Sequence, residues 1–354
     1  MKRQLLSWKL RAMSRVSTDL YELIEIHSTT EQIQNVLRDH KEHSPDIRIS
    51  GARKEDVIDN LREAVKTNLI PIEALYELLC ESEENGDQHI FFFTPKTKKL
   101  GQKYSDPDDV ANALWGDQRE ETQKFPRLGL KPDTHTWADF RRPKVGQYQS
   151  GWIGKIYGHE YYRQKRSEKI TDNRITVVYD LLERRSVSIA RWNEANILEL
   201  RVPRVGATSR SKIESQLELL WSFLEPAFPQ SDFQPLDLTD RFRLMLQEQN
   251  ENREVYNLSD VHLTDSGSGV ARISARSSGE CLSDAPERLT AIDTYLSNGG
   301  LCRGLSIYWL PDSASKVFGD KPLRVVAAPQ QPNEIIVPSI TTRLGIDYVI
   351  NQLC

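Results

Sequence analysis

Cysteine is scarce in this sequence, with four residues in 354, at Cys80, Cys281, Cys302 and Cys354, and no two of them spaced as C-x-x-C. That distribution supports neither a disulfide framework nor a zinc site, so the thiols are read as buried or free. Long apolar runs are missing as well. No stretch approaches the roughly 18 residues that a membrane-crossing helix needs. The opening MKRQLLSWKLRAMSRV is broken by charge every few positions, unlike a secretory leader. The expectation is a chain without membrane contact, working in the cytoplasm or a nucleus. Phosphate-cradling and nucleophile motifs are absent too: there is no G-x-x-x-x-G-K-[ST] and no G-x-S-x-G. SGSGV at 266–270 lacks a following helix and lysine and reads as a hairpin turn. The histidines are dispersed. His40 and His43 sit one helical turn apart with no cysteine or carboxylate cluster beside them, which makes a polar helix end the better reading. No catalytic residue, metal ligand or cofactor is therefore assigned.

What the chain does contain is a globular balance, with 28% charged, 38% apolar and 8% aromatic residues. Its length suits two or three domains. Residues 1–15 are basic with an imperfect apolar face, which suits a short first helix. Leu20, Leu23 and Ile24 then share one helical face. Ser28 with Glu31 suggests a capping box ahead of Ile33, Val36 and Leu37. RKEDVIDNLREAV places Val57, Ile58, Leu61 and Val65 at helical spacing, Pro71 opens IPIEALYELLCESEENG, and Asn85-Gly86 closes it. QHIFFFTP reads as a strand entering a sheet.

The order RKEDVIDNLREAV, a short break, then IPIEALYELLCESEENGDQHIFFF resembles the N-terminal helical domain of the centromere protein N family. The resemblance covers about the first quarter of the chain. It rests on Arg53, Lys54, Glu55 and Val57 and on the helix with Leu75, Tyr76 and Leu79, which are mostly fold positions. It implies a helical module joined to a β-rich domain, the pair binding nucleosomes through protein and DNA contacts without catalysis.

Residues 96–146 are rich in proline, glycine and charge and read as a linker or elaborated connection, with a short helix starting at Ser105-Asp106-Pro107. From residue 147 the period turns toward β. Three strand-like runs, at 174–179, 186–192 and 196–202, suggest an antiparallel meander with one buried face. Helices are expected over 208–225, 238–248, 286–297 and from about 341, and strands over 254–263, 270–276, 301–310, 323–328 and 334–337. The fold class is α+β, with an all-helical domain over 1–95 and a mixed, largely antiparallel β domain with packed helices over 147–354, divisible near 230–250.

Between Asp139 and Arg174 nine basic residues face four acidic ones, a net of +5 in a chain whose total is −4. Aromatic residues interleave with them, and cations with stacking faces are what exposed nucleic acid requires. The expected contacts are Arg141, Arg142, Lys144, Lys155, Arg163, Lys165, Arg166 and Lys169, with Trp152, Tyr157 and Tyr161 as stacking groups. On strands, alternate residues face opposite ways, so some of these aromatics belong to a core. The first functional expectation is a non-enzymatic binding protein that contacts DNA, in preference to RNA, through the β domain and a protein through the helical domain. The alternatives are an adaptor whose basic segment meets an acidic protein, and a metal-dependent nuclease of restriction-like fold using Asp180 and Glu199-Leu200-Arg201.

Overall fold

The computed structural model describes residues 20–118, 126–127, 132–142, 151–171, 173–204, 209–265, 267, 269–275, 280–311 and 321–354. The basic opening at 1–15 and Lys144 lie outside these residues. The described residues open on four helices, α1 (20–27), α2 (Thr30–Lys41), α3 (Lys54–Lys66) and α4 (Ile72–Glu84). Each is amphipathic and turns its apolar face inward, so that Leu20, Ile24, Ile33, Leu37, Leu61, Leu75 and Leu79 are buried together. The capping box of α2 sits one residue later than the sequence suggested. Gln32 N–H donates to the Thr29 hydroxyl (3.1 Å) while Thr29 N–H donates to Gln32 Oε1 (2.9 Å). Ser28 instead accepts a hydrogen bond from Ser82 of α4 (2.8 Å), tying two helices together.

Gly86 follows α4 with φ +108°, where a Cβ would fall 2.1 Å from the Ser339 carbonyl oxygen. Only glycine fits this turn into β1 (Gly86–Pro95). The rest of the sheet comprises β2 (Thr136–Arg141), β3 (Trp152–Thr171), β4 (Arg174–Trp192), β5 (Leu198–Pro203), β6 (Phe233–Pro235), β7 (Tyr256–Thr264), β8 (Val270–Ser274), β9 (Leu301–Trp309), β10 (Leu323–Ala327) and β11 (Glu334–Ile340). They form one sheet in the order β2-β3-β4-β5-β1-β11-β10-β9-β7-β8, with β6 also on β1. The pairings among these strands are antiparallel. The helices α5 (Lys98–Lys103), α6 (Pro107–Trp115), α7 (Arg210–Leu224), α8 (Thr239–Gln247), α9 (Pro286–Ser297) and α10 (Arg343–Leu353) complete an α+β fold.

β1 belongs to the middle of the sheet, so the purely helical part stops at Glu84 rather than at residue 95. The described part of 96–146 is packed against the sheet. Tyr104 is buried against Phe233, and its hydroxyl donates to Asp232 (2.6 Å). The runs at 174–179 and 186–192 are one strand, β4, because β3 is long enough to pair with it throughout.

Residues directly opposite in neighbouring strands share a face. One face of β2–β4, the near face, carries the helical module through Ala138, Ile153, Tyr157, Val187 and Ile189. α7 packs on the far face with Trp152, Ile156, Leu198 and Leu200. The C-terminal helices α8 and α10 share a third core with Ile90, Phe92, Ile335 and Val337. The rung Ile153–Arg191–Glu199–Phe92 shows how the near face is divided: apolar under the helical module, charged across β4 and β5, and apolar again over β1.

Candidate functional site

The basic aromatic segment splits into a buried root and a projecting arm. At the root, Lys155 is fully buried, with Nζ 3.1 Å from Glu83 and 2.8 Å from Glu84 at the end of α4. Glu83 also accepts from the Tyr157 hydroxyl (2.9 Å) and from Arg185. Arg141 donates twice to Glu84, at 2.7 Å each, and also binds Asp139. Burial opposes the charge of Glu84, but Lys155 and Arg141 outweigh it and hold its pKa down at about 2. Burial likewise opposes the charge on Lys155, yet Glu84 and its neighbours push that pKa well above the ordinary lysine range. The cluster therefore stays ionised and fastens α4 to the sheet.

Four of the expected contacts are corrected by this geometry. Lys155 and Tyr157 are consumed by the Glu83–Glu84 cluster, and neither reaches solvent. Trp152 is buried between Phe140 and Phe228, and its Nε1 donates to the Tyr104 carbonyl (3.0 Å). Arg141 is a helix-to-sheet tie with mostly covered side-chain atoms. Arg142 is exposed and spans Asp106 and Asp108 at 3.6 and 3.0 Å.

Beyond the root, among the described residues, β3 and β4 pair only with each other. β2 accompanies β3 as far as Tyr157, and β5 accompanies β4 only from Ile189. The ladder nevertheless continues to Thr171↔Arg174. Glu160 is the last anchored position, held by Gln216 and Lys212 of α7. From Tyr161 to the turn the ribbon runs on for roughly 35 Å, at about 3.3 Å per residue. Arg163, Lys165, Arg166, Lys169 and Arg174 are all exposed on it. Lys165 binds Glu168, and Arg166 lies 3.5 Å from Asp180.

Register assigns these side chains to faces. Tyr161, Arg163 and Lys165, with Glu183, Leu181 and Tyr179 opposite, continue the near face of Tyr157 and Val187. A bulge at Arg166 shifts the parity, so that Glu168 and Ile170, with Val177 and Ile175, take up the same face. Arg166, Ser167, Lys169, Thr171, Arg174 and Thr176 lie on the far face. Six of the eleven large apolar side chains exposed among the described residues belong to this arm. Five of those, Tyr161, Ile170, Ile175, Tyr179 and Leu181, share the near face at 52–69% exposure. The near face of the arm thus gathers five exposed apolar side chains among charged ones, and Arg166, Lys169 and Arg174 are exposed on the far face.

Sequence reasoning missed this grouping, because the run at 174–179 looked like a strand buried on one side. The available signal was the turn-forming pair Asp172-Asn173 in the sequence, which would set 163–171 opposite 174–181.

The nuclease arrangement is not assembled. Glu199 is fully buried and bound by Arg201 (2.5 Å) and Arg191 (3.8 Å). Asp180 lies on the far face of the arm, eleven strand positions or roughly 36 Å from Arg191, the rung partner of Glu199. His40 Nδ1 lies 2.9 Å from the Val36 carbonyl, a helix-end contact. No cluster of three or more metal-ligating side chains occurs among the described residues. At the arm's root a cavity of about 100 Å³, room for roughly three waters, is lined by His27, Glu83, Gln88 and Arg185. A groove of about 460 Å³ runs along the helical module beside Arg38, Lys41 and Arg48. No helix among the described residues is long and apolar enough to cross a membrane. Comparison with protein-family models, with curated proteins and with solved structures yields no match.

Proposed function

We propose that this chain is a nucleic-acid-associated binding protein that presents the β3–β4 arm to DNA. The observation that carries the reading is the ribbon itself: two strands, free of further strand neighbours among the described residues, with Arg166, Lys169 and Arg174 exposed on the far face and Arg163 on the near one. A two-stranded ribbon is narrow enough to enter the major groove of B-DNA, and cations spaced along it suit phosphates on either side. The acids that a nuclease would use are far apart and one is locked in ion pairs, which favours binding over cleavage. The basic groove beside Arg38, Lys41 and Arg48 is the surface assigned to a second contact, with a protein, by the helical module. The likeness of that module to the centromere protein N family points the same way. Such a protein acts in the nucleus or the cytoplasm.

The test is fluorescence anisotropy with duplex DNA, duplex RNA and single-stranded RNA across a salt series. The reading expects DNA to bind most tightly, with affinity falling steeply as salt rises. The R166E/K169E/R174E variant should abolish most binding and flatten the salt dependence by about 0.9 in log–log slope for each phosphate that is no longer neutralised. Absence of binding at low salt, or an unchanged variant, overturns the proposal. An adaptor without nucleic acid is the second reading, favoured by the apolar side chains on the near face of the arm. A protein partner retained after nuclease treatment and released by L181D would support it.

A further inference from the structure

We infer that the near face of the arm docks on the same face of a second copy of this chain, the two arms lying antiparallel. The inference goes beyond nucleic-acid binding and rests on the near face, with Arg163 the one side chain that both readings use. A two-stranded ribbon with no third strand or covering layer among the described residues is marginal in water, and exposed apolar groups gathered on one face mark an interaction surface. Five large apolar side chains share that face here, and among the described side chains Val178 is the exposed one on the far face.

The pattern along the face says which partner fits. From root to tip its rungs are Tyr161–Glu183, Arg163–Leu181, Lys165–Tyr179, Glu168–Val177 and Ile170–Ile175. Arg163 and Lys165 are balanced by Glu168 and Glu183, so the face is neutral and suits neither a phosphate backbone nor a strongly acidic peptide. It is self-complementary at four of its six kinds of contact instead. A two-fold axis across the middle rung, perpendicular to the strands and parallel to the face, reverses the order of the rungs and leaves each strand above its own copy. Arg163 then meets Glu168 of the second copy, Leu181 meets Val177, Tyr161 meets Ile170, the two Tyr179 rings meet at the axis beside the two Lys165 side chains, each already paired with Glu168 of its own chain, and Glu183 meets Ile175. The incoming tip is directed at Ile26, which is 52% exposed at the wall of the root cavity. Arg166, Lys169 and Arg174 stay on the outer faces of the paired arms.

The experiment is sedimentation velocity on nuclease-treated full-length protein over micromolar to sub-millimolar concentrations. The wild type is expected to shift with concentration toward twice the chain mass. L181D and Y179D should remain monomeric with unchanged circular dichroism. R163E and E168R should each weaken the dimer at least tenfold, and R163E/E168R should recover it, because in a symmetric interface the exchanged charges meet again. A wild type that stays monomeric throughout overturns the proposal. So does a dimer that survives L181D and Y179D, or a double variant no better than the singles. The R166E/K169E/R174E variant should still dimerise, so failure of nucleic-acid binding and failure of dimerisation are read separately.

Discussion

Replacing Lys155 by methionine removes a cation with no solvent exposure whose ammonium lies 3.1 Å from Glu83 and 2.8 Å from Glu84. Breaking one partner out of a buried ion pair typically costs about 3–5 kcal/mol, because the charge left behind remains buried. Here Glu83 keeps Arg185 and the Tyr157 hydroxyl, and Glu84 keeps Arg141. The loss therefore falls near the lower end, at about 3 kcal/mol, or a melting point lowered by roughly 6 °C at about 2 °C per kcal/mol for a chain of this size. The methionine stem fills most of the lysine volume, so cavity formation adds little. Urea unfolding followed by tryptophan fluorescence measures the change. K155M/E84Q should regain part of it, since the unpaired carboxylate is then neutral. The second measurement is DNA affinity of the folded K155M protein, which should equal that of the wild type. A stability change below about 1 kcal/mol would refute the network argument, and a selective loss of DNA affinity would return Lys155 to the binding surface.

Acid should attack the same cluster. The Glu84 pKa is about 2 in the folded protein against an ordinary 4.5, so its contribution is complete above about pH 4.5 and is lost as pH falls toward 2. The loss amounts to at most about 3 kcal/mol. Glu83 and Glu199, whose pKa values are also lowered, act with the same sign. Urea midpoints compared between pH 6 and pH 3 test this, and no decline would contradict it. Gly86→Ala should lose about 2 kcal/mol or more, since it combines a left-handed φ with a Cβ 2.1 Å from a carbonyl oxygen; a thermal melt unchanged from the wild type would dispose of that argument. The arm gives the two remaining tests: charge reversal at Arg166, Lys169 and Arg174 against DNA, and L181D against self-association. Both leave the cores untouched, so neither should move the melting point by more than about 1 °C.

The sequence determined the elements whose signals are local. The helices α3, α4, α6, α7 and α9 were legible from apolar spacing and from punctuation such as Pro107 with Gly116 and Asn85 with Gly86, because helical bonding and capping are satisfied within a few residues. The α+β class was legible for the same reason. The sequence also marked out 139–174 as a segment of unusual charge, but charge alone does not say where a side chain points. Lys155 and Lys165 are both lysines in one strand. One is buried because β2, β4 and the end of α4 surround it; the other is exposed because β2 and β5 have ended. That difference depends on how far each neighbouring strand extends, which only tertiary pairing decides. The bulge at Arg166 is of the same kind: one extra residue moves Glu168 and Ile170 onto the face of Tyr161, and gives the arm a grouping of apolar and charged side chains that the order of its residues does not reveal.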